Sequence, residues 1–201
     1  MEFRQLGTSG LRISAIGLGC NPFGNEVDAQ TAEIIVNTAI DEETMRALDD
    51  LVRAGKVRYI GCSNFYEWEI ADAQWTAESK GLTKFVSSQD MYNLLYRDIE
   101  KRMEPYCVKH GIGMIPYFPL AGAMLSGAYH RGVTPEAGSR GAIRPTFKRW
   151  DSDRNWTVQE GLSAFAQAHG WTLPQMSIAW LLTRPMMATV IAGSDRPEHV
   201  E

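Results

Sequence analysis

The sequence predicts an α/β fold in which helices cover a parallel sheet, and three observations predict it. From Glu42 onward, helical patterns alternate strictly with strands. The strands are short apolar runs, the form taken by strands buried on both faces. Glycines stand where the helical patterns stop, at Gly55, Gly81 and Gly111.

The elements follow in order. Leu11–Leu18 reads as a strand, preceded by the turn-forming Gly7-Thr8-Ser9-Gly10. Asp28 is a good helix N-cap, with Ile34, Ile35, Ala39 and Ile40 at helical spacing behind it. Glu42–Ala54 is a second helical pattern, with Met45, Leu48, Leu51 and Val52 on one face. Val57–Cys62 is a strand, Trp68–Ser79 a helix, and Phe85–Gln89 a strand. Ile99–His110 is a helix, and Gly113–Leu120 a strand. A polar loop with glycine and proline follows over Gly127–Asp153. Val158–Thr183 is helical with a break over Gly170–Pro174, and Ala188–Ala192 is the last strand. There is no low-complexity tract and no shift of composition to mark a linker.

Composition excludes several function classes. The 201 residues fit one domain, or two small ones, and suffice for a sizeable core. A net charge of −4 and a pI of about 5.6 leave no footprint for nucleic acid or an anionic membrane. Cys20, Cys62 and Cys107 are odd in number and lack metal-type spacing, which favours reduced thiols in a cytosol. The opening Met1-Glu2-Phe3-Arg4 puts charge where a signal peptide needs apolar residues. Gly111–Tyr129 is uncharged, but Pro116, Pro119 and its glycines make it a strand running into a loop rather than a membrane span. A soluble cytoplasmic protein is expected.

One place breaks the alternation. The helical patterns Asp28–Asp41 and Glu42–Ala54 abut with no strand, Gly or Pro between them. Read as one helix they run to about twenty-eight residues, beyond the usual globular range. Their apolar stripes centre more than a third of a turn apart, at about 100° per residue. A long helix buried on different sides would account for this. A missing segment accounts for it better, since the pattern on either side demands a strand here.

Five motifs in order resemble one family. Phe3-Arg4-Gln5-Leu6-Gly7-Thr8-Ser9-Gly10-Leu11, with Ile13–Gly19, resembles the opening hairpin and first barrel strand of the aldo-keto reductases. Val52-Arg53-Ala54-Gly55-Lys56-Val57-Arg58-Tyr59-Ile60-Gly61-Cys62-Ser63-Asn64-Phe65 resembles their fourth helix and fifth strand. Ser87–Asn93, Gly111–Leu120 and Ala188–Ser194 resemble the sixth, seventh and eighth strands. The resemblance implies a (β/α)8 TIM-barrel fold, here incomplete, with about five of its eight parallel strands present. A single partial barrel domain over 1–201 is expected, with a deletion or omission junction near 40–43. Three strand-helix units of the family, roughly 90 residues at about 30 each, would belong at that junction. The family's catalytic aspartate, tyrosine, lysine and histidine lie on those units, so no residue of this chain is assigned to catalysis. The family's final helices, and an asparagine that contacts adenine, would come after Glu201.

The resemblance also implies most of a nicotinamide dinucleotide site at the C-terminal ends of the strands. Ser63, Asn64 and Gln89 would hydrogen-bond the nicotinamide carboxamide, which needs donors and acceptors held in one plane. Tyr117 would lie under the nicotinamide ring and fix which face is open. Pro119, Leu120 and the loop after them would run along the pyrophosphate. Arg140 matches a phosphate-pairing arginine, and Gly193, Ser194, Asp195, Arg196 and His199 sit where the family holds the adenosine 2′-phosphate and adenine.

Each of these residues has a plainer reading beside it. Ser63-Asn64 is also a loop and helix-cap pair, Tyr117 a core aromatic, Gln89 a polar strand end, and Arg140 a solvated charge. The four histidines are scattered, and no metal is expected. Tryptophans and methionines read as packing for the core and helix faces, and Glu42-Glu43 and Asp49-Asp50 as solvated helix charges.

Two departures bear on the cofactor. Ala128 follows Ser126-Gly127 where the family often has lysine, and the carboxylate of Asp195 suits a ribose hydroxyl better than a 2′-phosphate. Arg140 and Arg196 pull the other way, so NADP(H) is expected first and NAD(H) second. The function implied is reduction of small aldehydes or ketones to alcohols. The alternatives are a non-catalytic nucleotide-binding barrel relative, acting as a sensor or regulatory subunit, and an inactive truncated fragment.

Overall fold

The structure, a computed structural model, describes residues 2–14, 16–18, 42–143 and 145–193. It begins with an antiparallel hairpin of β1 (Phe3–Gln5) and β2 (Arg12–Ser14), with Arg4 opposite Ile13. Gly7 takes φ +55 in the connecting turn, and a Cβ there would meet the Gly111 carbonyl oxygen at 2.3 Å. The turn is thus pressed against the start of a later strand, and the Thr8 N–H donates to that same carbonyl at 2.9 Å. Only glycine allows both the left-handed φ and this approach.

Five further strands are parallel to one another wherever they pair. These are β3 (Ile16–Leu18), β4 (Ile60–Ser63), β5 (Phe85–Gln89), β6 (Gly113–Met114) and β7 (Val190–Ala192). β5 lies between β4 and β6, with Ser63 opposite Gln89 and Ser88 opposite Met114. Met114 then bridges in parallel to Met187, just before β7, through N–H···O bonds to Met186 and from Ala188 of 2.8 and 3.0 Å. β7 pairs with β3, Ile16 opposite Val190. The order is therefore β4-β5-β6-β7-β3, and among the described residues β4 and β3 stand at its two ends.

The connecting helices are α1 (Glu42–Arg53), α2 (Glu67–Lys80), α3 (Met103–His110), α4 (Arg140–Ile143), α5 (Pro145–Lys148), α6 (Asp153–Ala168) and α7 (Leu173–Leu182). Their ends follow local chemistry. Glu69 accepts the Tyr66 N–H at 2.6 Å to start α2, and Thr172 with Gln175 forms a capping box on α7. Gly81 and Gly111 close α2 and α3 in the left-handed region at φ 65. One core cluster fills the space between the strands and helices α1, α2, α3 and α7, around Met45, Ile70, Tyr92, Met114 and Leu181. A second lies under the loop beyond β6 and joins Met91, Met124, Leu125, Phe147, Trp150 and Trp156.

Several elements differ from the sequence expectation. The strand expected over Gly113–Leu120 is a ladder of two residues, because Pro116 and Pro119 have no N–H to donate. Ile115 and Tyr117 still donate to Ser88 and Asp90 at 2.9 and 3.0 Å, so the run keeps its place beside β5. The helix expected over Ile99–His110 breaks at Arg102, φ −138, into a 3-10 turn (Asp98–Lys101) and α3. The 127–153 loop holds α4 and α5, and the long C-terminal helix starts earlier, at Asp153, where Ser152 caps it. Trp68, Trp75 and Trp171 are about half exposed or more rather than packed, while Trp150 and Trp156 are buried. Asp49 is not a solvated charge. It is 4% exposed and accepts the N–H and hydroxyl of Thr83 at 2.9 and 2.7 Å, besides its pair with Arg53.

The Asp28–Asp41 helix, and residues 40 and 41 of the expected junction, lie outside the described residues. No helix among the described residues is long and apolar enough to cross a membrane.

Candidate functional site

Parallel strands put all their C-terminal ends on one side, and there the structure gathers four of the residues singled out above. In β4, Ile60 and Cys62 are buried toward the helices, which leaves Gly61 and Ser63 on the opposite face. Ser63 faces its register partner Gln89, and its hydroxyl donates to the Gln89 carbonyl at 2.7 Å. The Asn64 N–H donates to the same carbonyl at 3.1 Å. Asn64 takes φ +59, a left-handed conformation that asparagine tolerates better than most residues, and this turns the chain out of the sheet. Its amide nitrogen donates to the Ser63 hydroxyl at 3.2 Å, and its amide oxygen accepts the Tyr117 hydroxyl at 2.7 Å.

Tyr117 is held from behind. Its N–H donates to the Asp90 carbonyl, and its ring meets Phe118 edge-on with centroids 5.4 Å apart. Phe118 has φ +54, and its carbonyl accepts the side-chain amide of the fully buried Asn93 at 2.9 Å. The other end of that amide accepts the N–H groups of Leu95 and Tyr96, each at 2.9 Å. One buried asparagine thus ties the loop after β5 to the loop after β6.

Ser63 and Asn64 do not act as the cap of α2, since the capping position is Tyr66. Tyr117 is half-buried with a partner for its hydroxyl, so it is no plain core aromatic. The Gln89 side-chain amide has no hydrogen-bond partner among the described residues and is partly exposed. It therefore carries two donors and an oxygen open to a ligand. With the Asn64 amide beside it, this donor set fits a flat carboxamide.

The remaining candidates are spread more widely. Pro119 is buried and Leu120 half-buried, directly after Tyr117 and Phe118. They lead into a 3-10 turn (Ala121–Ser126) in which Ala121, Gly122 and Ala123 all have positive φ. The N–H groups of Ala121 and Ala123 are taken up within the turn, by the Phe118 and Leu120 carbonyls at 2.8 and 3.0 Å. Arg140 is exposed at the start of α4. That helix is anchored by the Tyr129 hydroxyl, which accepts the Gly141 N–H at 2.9 Å, and by the packing of Tyr129 on Phe147. Gly193 is exposed just beyond β7, while Ser194, Asp195, Arg196 and His199 lie outside the described residues.

Sequence reasoning passed over Asp90, which lies directly behind these residues and is 6% exposed. The Ser88 hydroxyl donates to its carboxylate, and burial pushes that carboxyl up to about 6. Ser88 and Asp90 stand two apart along the chain and are both buried, but nothing in the sequence marks that face as the inner one. Cys62 and Cys107 are buried free thiols, each pushed up to about 12 by burial, and have no role at the strand ends.

Residues 23–201 match the aldo/keto reductase family. The chain belongs to the aldo-keto reductases. It is 41% identical over 162 residues to an aldo-keto reductase of Metarhizium robertsii, covering 79% of this chain and 42% of that protein. It is 30% identical over 173 residues to the versiconal hemiacetal acetate reductase of Aspergillus parasiticus, covering 86% of this chain and 50% of that one. The chain thus spans about half the length of the curated relatives it matches. Among solved structures, the glycerol dehydrogenase of Gluconobacter oxydans superposes with a TM-score of 0.65 at 23% identity. That match covers 80% of this chain and 47% of the other. The fold is that of the family's (β/α)8 barrel, present here in part, with the candidate site at the end of the strands where barrel enzymes carry their chemistry.

Proposed function

We propose that the whole protein is an oxidoreductase that reduces small aldehydes or ketones to alcohols with NADPH, NADH being the second choice of cofactor. The observation that carries this is the joining of Ser63, Asn64, Gln89 and Tyr117 across three parallel strand ends. The Asn64 and Gln89 amides would hold the nicotinamide carboxamide, and the Tyr117 ring would support one face of the nicotinamide. Pro119, Leu120 and the loop after them would run along the pyrophosphate. Arg140, Gly193, Ser194, Asp195, Arg196 and His199 would take the adenosine end. When bound, the reduced nicotinamide supplies the hydride. This chain's part is to fix the ring's position and the face it offers, and to keep the carboxamide planar against its donors.

We place the family's catalytic tyrosine, aspartate, lysine and histidine on three strand-helix units that join the chain near 40–43, between β3 and β4. The strand order supports this, since β3 and β4 are the two ends that such units would connect. The barrel would be one domain, and a cytoplasmic setting suits its buried free thiols.

The test is a carbonyl panel of activated aldehydes and quinones, with loss of reduced-nicotinamide absorbance as the readout. Turnover with NADPH is expected from the native protein, whose intact mass should exceed that of this chain by about 10 kDa for roughly 90 further residues. Clear NADPH binding without turnover on any carbonyl would replace this reading with that of a nucleotide-binding sensor. Neither binding nor turnover would mark an inactive fragment.

A further inference from the structure

We propose that Asn93 is a positioning residue for the nicotinamide end of the site, using its side-chain amide to lock the Phe118 turn and so hold the Tyr117 ring in place. This rests on the cofactor reading above. Phe118 is bulky, stands at φ +54 and precedes Pro119, whereas a residue before proline is pushed toward extended backbone. Such a conformation persists only where the surroundings over-determine it, and these positions cluster at ligand sites. Here the chain turns away directly after Tyr117, whose N–H is still bonded to the Asp90 carbonyl at 3.0 Å. The Phe118 carbonyl marks that turn. It accepts the Ala121 N–H from within the turn at 2.8 Å, and the Asn93 side-chain amide from outside it at 2.9 Å.

The Asn93 side chain is itself fixed at its other end. It has no exposure, and its oxygen accepts the N–H groups of Leu95 and Tyr96 at 2.9 Å each. All three bonds belong to the side chain, so one substitution removes them together. The 93–96 loop would still be closed by the two main-chain bonds between Asn93 and Tyr96, of 3.2 and 3.1 Å. What is lost is the tie between the two loops. Phe118 would then be free to relax toward the extended backbone that is ordinary before proline. Its ring meets that of Tyr117 edge-on at 5.4 Å, so the relaxation reaches the Tyr117 ring and its 2.7 Å bond to Asn64.

Purified native protein titrated with NADPH, followed by nicotinamide emission and tryptophan quenching, tests this against titration with 2′,5′-ADP, which has no nicotinamide. Asn93→Ala should weaken NADPH about three- to tenfold, as expected for loss of a neutral hydrogen bond, and diminish the emission change. The affinity for 2′,5′-ADP should stay unchanged. In a Tyr117→Ala background the same substitution should lower NADPH affinity by less than about twofold, because the ring it positions is gone. Asn93→Ser, which keeps a small polar side chain, should give the same pattern, and it serves if Asn93→Ala does not fold. Equal loss for both ligands, unaltered NADPH binding and emission, or a loss that persists in full beside Tyr117→Ala would overturn the proposal. An unsubstituted protein that gives no NADPH response would overturn the cofactor reading itself, and this inference with it.

Discussion

The hydroxyl of Tyr117 donates to the side-chain oxygen of Asn64 at 2.7 Å, linking residues that leave β6 and β4 on either side of β5. With the bond from the Asn64 amide nitrogen to the Ser63 hydroxyl, it holds an exposed amide at both ends. It also keeps the Tyr117 ring from rotating away from the strand ends.

Replacing Tyr117 therefore separates two effects. Tyr117→Phe keeps the ring and loses the bond to Asn64, and is expected to weaken NADPH binding by about 0.5–1.5 kcal/mol. Tyr117→Ala loses the ring as well, and stacking on a base-like ring is worth about 1–3 kcal/mol. Isothermal titration of the pair gives the comparison, and equal affinities for the two variants would remove the stacking role.

Arg140 is exposed on a one-turn helix, where a lone charge is worth little to stability. Arg140→Ala should thus leave the unfolding midpoint unchanged while lowering NADPH affinity much more than NADH affinity. Parallel titrations with both dinucleotides decide it, and matching losses would rule out contact with the 2′-phosphate.

Two aspartates respond to acid in opposite directions. Thr83 and Arg53 hold the Asp49 carboxyl below the usual carboxylate range. Its contribution is present above the unfolded value and fades as the pH falls through the folded one. Asp49→Ala should therefore lower the thermal midpoint at neutral pH, and the deficit should shrink in acid. An equal deficit at every pH would contradict an ionised Asp49.

Asp90 has the reverse sign. Its carboxyl sits at about 6 in the fold against 3.8 ordinarily, so between these values the folded chain binds the extra proton. Stability is then expected to fall as the pH rises from about 4 to about 6. Asp90→Asn should flatten that stretch in urea unfolding measured across the range. A slope that persists unchanged would assign it to other groups.

Much of this architecture is legible in the sequence where local chemistry decides the outcome. Phe85–Gln89 forms a strand over those same residues, and Gly81 and Gly111 end their helices in the left-handed region, as their positions imply. The Ser63, Asn64, Gln89 and Tyr117 cluster is legible only through family resemblance, because register brings together residues far apart in the chain. Composition does not report direction, so the exposure of Trp68 and Trp75 escaped it. Nor does the pattern of charges distinguish Asp49, which Thr83 draws inward, from Asp50 beside it, which stays in solvent.

The pairing of β3 with β7 sets the timing of assembly on the ribosome. Ile16 is made long before Val190, which lies opposite it. At about 5–20 residues per second, β3 must wait roughly ten seconds or longer for β7, and longer still with further units between β3 and β4. Over that interval β4, β5 and β6 can already zip together, since each finds its neighbour within a short stretch of nascent chain. Chains arrested before Val190 should accordingly protect β5 from protease while leaving β3 open to it, and equal protection of both would show that β3 finds another partner first.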